Sequence, residues 1–180
     1  GPHGGGPPVD QVKVEHFTPA REAAMAEALA EIEAIADNPA EPDFENTIAA
    51  MERSGRTLDR FERIYSVFSS TMRSPAFREV ERDIAPKLAQ FRDRVVQNER
   101  LFKRISAVYE ARERSGLTPE QQRLAWLKYN DFARSGARLA AAAKKRLSEM
   151  NERLASLYTE FSQNVLADEG SALYLTSGEQ

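Results

Sequence analysis

The chain has 180 residues, 28 of them acidic and 25 basic, which gives a net charge of −3 with neutral histidines. That near balance excludes the charge footprint of a nucleic-acid or anionic-membrane binder, and no apolar run approaches the ~18 residues of a membrane span. Without a cysteine there can be no disulfide, so stability must come from a core; a single domain of this length buries roughly 70% of its unfolded surface.

The segment Gly1–Asp10 holds four glycines and three prolines and reads as an extended lead-in that reaches to about residue 17. Gln11-Val12-Lys13-Val14-Glu15 alternates but is too short for a strand. Thr18-Pro19 predicts a helix start, with threonine as cap and proline at the first helical position. Met25, Leu29, Ile32 and Ala36 then recur at helical spacing, and Asn38-Pro39 closes the element. Asp43 predicts the next cap, with Glu45 in a first turn that favours an anion. Gly55 predicts a break.

Leu58, Phe61, Ile64 or Tyr65, Phe68 and Met72 form a strong stripe beyond it. Ser74-Pro75 repeats the cap-plus-proline signal ahead of Val80, Ile84, Leu88, Phe91 and Val95, with Pro86 predicting a kink rather than a stop. Leu101, Phe102, Ile105, Val108 and Tyr109 give a shorter helix ended by Ser115-Gly116. Thr118-Pro119-Glu120-Gln121 predicts a capping box. The following helix carries Leu124, Leu127 or Lys128, and Asp131 or Phe132, and loosens at Ser135-Gly136. A long helix is expected from Ala137 to about Ala167, with Leu147, Met150, Leu154, Leu157, Phe161 and Val165 on one face. Ala172–Thr176 reads as a lone strand, which needs a partner outside the chain.

The predicted fold is all-α, a bundle of about six to seven helices over 18–167. The lead-in occupies 1–17, and 168–180 is read as the strand and the start of a connection to further sequence. The absence of an initiator methionine and the Gly1-Pro2-His3 start suggest a chain that begins inside a native sequence. Cytoplasm is the expected compartment, with the periplasm left open.

Few residues suggest chemistry. His16 stands at a helix entry and His3 in the lead-in. Two histidines far apart in sequence do not make a zinc site, which needs several convergent ligands. Glu31, Glu33 and Asp37, and Glu79, Glu81 and Asp83, are read as solvated helix faces, as is Lys144-Lys145-Arg146. Trp126 is read as a packing residue. Tyr129, Asn130, Phe132 and Arg134 mix polar and aromatic groups before Gly136; helix packing and the lining of a channel are both open for them. No serine stands in a G-x-S-x-G context.

The run Ala36-Asp37-Asn38-Pro39-Ala40-Glu41-Pro42-Asp43-Phe44-Glu45-Asn46-Thr47-Ile48, closing with Met51-Glu52-Arg53-Ser54-Gly55, resembles the N-terminal region of the zinc oligopeptidases of the thimet oligopeptidase and peptidyl-dipeptidase family. The likeness continues through Pro7-Pro8-Val9-Asp10, His16-Phe17, Pro19-Ala20, Asn98 to Ile105, Tyr129 to Ala137 and Phe161 to Leu166. Asp43 and Val9 stand where many members have threonine and phenylalanine. The resemblance implies a parent enzyme of bacterial type. In such an enzyme a zinc ion held by H-E-x-x-H and a later glutamate activates water to cleave short peptides. No H-E-x-x-H occurs here, so the resemblance carries over no catalytic residue, no metal ligand and no cofactor to this chain. It implies a wall of the substrate channel, with the catalytic half of the same protein and short peptides as partners. The alternative is a stand-alone helical module that binds peptides or a protein.

Overall fold

The structure, a computed structural model, describes residues 9–71 and 74–170. Two 3-10 turns, Val9–Gln11 and Val14–His16, lead into α1 (Phe17–Ala36). A bend and a π-helical turn, Phe44–Ala49, run into the short α2 (Ala50–Arg53). Then come α3 (Arg56–Thr71), α4 (Pro75–Val96), α5 (Glu99–Ala111), α6 (Pro119–Arg134) and α7 (Ala141–Gly170). Every regular element among the described residues is helical, and the fold is the all-α bundle that the periodicities imply. The strand expected over Ala172–Thr176 lies outside the described residues, as does Met72.

Three predicted helix starts are built as their residue types require. The Asp43 carboxylate accepts from the Asn46 amide at 2.6 Å, and Asn46 returns the bond to the Asp43 amide at 3.0 Å. Ser74 Oγ accepts from the Phe77 amide at 3.2 Å, with Pro75 at N1. Thr118 and Gln121 exchange the two bonds of a capping box. A fourth cap, Asn98 to the Leu101 amide at 3.0 Å, starts α5. Each satisfies backbone donors that a helix cannot pair internally.

The first predicted start is different. α1 begins at Phe17, and Thr18 caps nothing, because the Val14–His16 turn already delivers the chain in helical geometry. Pro19 falls at the third helical position, where its missing N–H is still no loss. The buried face also differs from the expected one. It runs through Phe17, Arg21, Ala24, Ala28, Ile32 and Ile35, while Met25 and Leu29 are half-buried. An arginine and two alanines at the centre of that face blur its apolar period. α4 continues through Pro86 without stopping. α7 starts at Ala141, four residues later than expected, because residues 135–138 form a turn.

Two clusters form the core. Phe17, Ala24, Ala28, Leu58, Phe61, Phe68, Phe77, Ile84 and Leu88 gather between α1, α3 and α4. Ile32, Ile35, Ile48, Leu101, Ile105, Val108, Ala125 and Phe132 gather between the second half of α1, the π turn, α5 and α6. α7 packs along α4.

Two buried arginines tie the helices to their surroundings. Arg21, with no exposed surface, pairs with Asp83 of α4 at 2.5 Å and with Glu22 at 3.0 Å. Lys87, and then Arg21, hold the Asp83 carboxyl below the usual carboxylate range, against the opposing effect of partial burial. Arg104 of α5 donates to the carbonyls of Asn38 at 2.8 Å and Ala40 at 2.9 Å, and to Asn46 Oδ1 at 2.7 Å. It clasps the bend between α1 and α2 with no carboxylate in the bond set.

Gly136 ends α6 with φ +97°. A Cβ there would lie 2.5 Å from Leu147 Cδ2 and 3.2 Å from Leu139 Cδ1. Gly136→Ala therefore combines a left-handed backbone with a close approach to α7. It is expected to cost about 2 kcal/mol, read as a lower midpoint in urea unfolding; a loss under ~0.5 kcal/mol would show that the turn relaxes freely.

Candidate functional surface

The helix α7 is amphipathic, and it is set with its polar side inward. Lys144, only 7% exposed, pairs with Glu99 at 3.0 Å. Ser148 Oγ accepts from Gln97 Nε2 at 2.8 Å, and Asn151 Nδ2 donates to the buried Asp93 at 2.7 Å. Further along, Gln163 accepts from Arg82 Nε at 2.9 Å and donates to Arg78 O and Glu81. A row of hydrogen bonds thus joins α7 to α4 and the start of α5.

The opposite side carries Met150, Leu154, Leu157, Tyr158, Phe161 and Val165, each between 40% and 66% exposed. The stripe that the helical period gathers on one face of α7 thus faces outward, apart from the half-buried Leu147. The reason lies in the partner: along this line α4 offers Asp93, Gln97, Arg82 and Glu81, and polar groups leaving water require polar partners. An exposed apolar surface this continuous marks an interaction site.

The four residues singled out on α6 divide into two pairs. Tyr129 stacks on Tyr109 at 4.1 Å between centroids and on Phe102 at 5.7 Å. Phe132 is buried in the second core cluster, parallel to Phe102 at 6.5 Å. The Arg112 guanidinium caps this column 4.1 Å above Tyr109, a favourable cation–π position. Asn130 instead donates to its own helix, to Trp126 O at 2.8 Å, and Arg134 is exposed in the last turn. Trp126 lies under the Arg123 guanidinium at 4.2 Å. The aromatic column escaped the sequence reading because it needs α5 and α6 side by side; Tyr109 and Tyr129 lie 20 positions apart.

The remaining candidates resolve into structural pairs. His16 is exposed and its Nδ1 accepts from the Lys13 amide at 3.2 Å; His3 lies outside the described residues. Glu31 accepts from the Gly55 amide at 2.6 Å. Arg100 bridges Glu33 and Asp37. Glu79 pairs with Arg82 at 2.7 Å, and Glu81 accepts from Ser69 at 2.6 Å. Glu31, Glu33, Asp37 and Glu81 tie elements together more than a solvated face requires, while Glu79, exposed and paired within its own helix, fits that face. Lys144 likewise leaves its predicted solvated face for the α7 seam, while Lys145 and Arg146 stay exposed. Among the described residues no three His, Asp or Glu side chains come together to hold a metal ion, and no helix is long and apolar enough to cross a membrane.

No family model matches the chain. It is 35% identical over 161 residues to the dipeptidyl carboxypeptidase of Escherichia coli, with 89% of this chain and 24% of that protein covered. Identity to the dipeptidyl carboxypeptidase of Salmonella typhimurium is 33% over the same length, again 89% and 24%. To the oligopeptidase A of Salmonella typhimurium it is 28% over 160 residues, with 89% and 24% covered. The chain spans about a quarter of the length of the curated relatives it matches. An all-helical body, joined to a match over nearly its whole length, agrees with the likeness read from Ala36 to Gly55. The chain is a relative of the N-terminal region of the dipeptidyl carboxypeptidase and oligopeptidase A family of metallopeptidases.

Proposed function

We propose that this chain is the N-terminal helical domain of a zinc-dependent oligopeptidase or peptidyl-dipeptidase, where it forms one wall of a channel that admits only short peptides. The match over 89% of the chain to proteins named for peptidase activity carries this reading. The chain's own residues do not fit the zinc ion that the resemblance implies. The Nδ1 atom of His16 is taken by a backbone amide, and no convergent carboxylates or histidines stand near it among the described residues. On this reading zinc, H-E-x-x-H and the catalytic glutamates belong to the rest of the enzyme, and a cytoplasmic setting goes with it.

The part played here is mechanical. α6 is held by its aromatic column on one side, with Tyr129 and Phe132 fixing its position. Asn130 and Arg134, on the neighbouring strip, are the groups offered to peptide. A rigid wall of this kind excludes folded proteins and preorganises flexible ones, so that binding costs less ordering.

The test is a hybrid in which this chain replaces the matched quarter of the Escherichia coli dipeptidyl carboxypeptidase. The expected result is chelator-sensitive cleavage of short peptides, with folded proteins spared. A folded hybrid that cleaves nothing, or that cuts folded proteins, overturns the reading. So does chelator-sensitive peptidase activity of the purified 180-residue chain alone.

A further inference from the structure

We infer that the outer face of α7 is the seat of a helical segment supplied by the remainder of the same polypeptide. This rests on the reading of the chain as one domain of a longer enzyme. Met150, Leu154, Leu157 and Phe161 follow one another at spacings of four, three and four. That is the period of a helix-on-helix seam. Tyr158 and Val165 widen it to an arc of about 100°, the width of a helix face turned to a globular core rather than of a narrow two-stranded coil. From Met150 to Val165 the strip is roughly 23 Å long at 1.5 Å per residue.

Nothing within the described chain covers that strip, for α7 is held from behind by hydrogen bonds. The seam of Lys144, Ser148, Asn151 and Gln163 gives α7 a fixed rotation about its axis, so the apolar arc is presented rather than free to roll inward. Rolling it inward would set leucines against Asp93, Gln97 and Arg82 and strip those groups of their partners.

The length of the relatives favours the remainder of the polypeptide over a second copy. The relatives carry about three quarters of their length outside the matched segment, which is ample to supply the covering helix. Charges of both signs, Arg146, Arg153 and Glu160, border the strip on one side. They suit the polar rim of an interface with a fixed register.

Hydroxyl-radical labelling of Met150, Tyr158 and Phe161 tests the inference, in the isolated chain and in the hybrid enzyme described above. Labelling is expected to fall about tenfold in the hybrid as water is excluded. An active hybrid labelled as strongly as the isolated chain overturns the seat and leaves the channel reading standing. An inactive, folded hybrid with the strip protected does the reverse. Sedimentation of the 180-residue chain decides the matter should the hybrid not fold. A monomer with the strip fully labelled is expected, whereas a dimer below ~1 μM that protects the strip makes a second copy the occupant and overturns the inference.

Discussion

Phe17→Ala is expected to lower the stability of the chain by about 4 kcal/mol, the largest effect of any single truncation considered. Phe17 is buried at the centre of four other rings. Phe68 and Phe77 stand 5.2 and 5.3 Å away, Phe61 and Tyr65 6.1 and 6.2 Å, all edge-to-face. Removing it opens a cavity that rings from two helices cannot fill by small shifts, and it also forfeits the edge-to-face attraction of each pair. At 2–4 °C per kcal/mol for a chain of this size, the melting temperature should fall by about 8–16 °C. Phe17→Leu should restore roughly half, because it fills volume without restoring ring geometry. Urea unfolding followed by circular dichroism measures both. A loss below ~1.5 kcal/mol for the alanine variant would mean that the rings do not pack as one cluster.

The second large effect is expected at Arg104. Arg104→Met keeps most of the buried volume and removes the donors that hold Asn38 O, Ala40 O and Asn46 Oδ1. Leaving the carbonyls of Asn38 and Ala40 without that donor should cost about 3 kcal/mol, while Asn46 Oδ1 keeps the Asp43 amide. Arg104→Lys should recover less than half of it, since one ammonium cannot reproduce a planar fork that spans three acceptors. The consequence is local before it is global. The bend over 37–43 loses the clasp that joins it to α5, and limited proteolysis should cut there first, with the wild-type chain resistant under the same conditions. Equal resistance of wild type and Arg104→Met would show that the caps at Asp43 and Asn46 suffice to hold the bend.

The helix starts were legible in the sequence because capping is a local grammar. Asp43, Ser74-Pro75 and Thr118-Gln121 satisfy amides three residues away, and nothing distant can alter that arithmetic. The order of the motifs from Pro7 to Leu166 was legible for another reason: it is a likeness spread over the whole chain, and the comparison with dipeptidyl carboxypeptidase bears it out. The orientation of helices was legible only where the partner is apolar. The α3 stripe of Leu58, Phe61 and Phe68 packs as its period predicts. The α7 stripe does not, because which side of an amphipathic helix turns inward depends on what it meets, and α4 meets it with polar groups. Arg21 escaped notice for the same reason. A charged residue on an apolar face reads as an interruption until Asp83, 62 positions later, supplies its partner. The candidate surface residues on α6 were located by composition alone, and only the stacking of Tyr129 on Tyr109 and the burial of Phe132 separate those that hold the helix from Asn130 and Arg134.

α1 belongs to both core clusters, its first half to one and its second half to the other. A single run of 20 residues, roughly 30 Å of helix, therefore places buried side chains in both packings, with Val95 and Val96 at the end of α4 as a second, lighter link between them. Free-energy changes made in one cluster should sum with those made in the other, since side chains so far apart share no neighbours. Neither half can melt alone without fraying the helix on which the other is built. The chain gains from this a cooperativity that its two separate interiors would not give it, and transmits along one axis any load placed on either end.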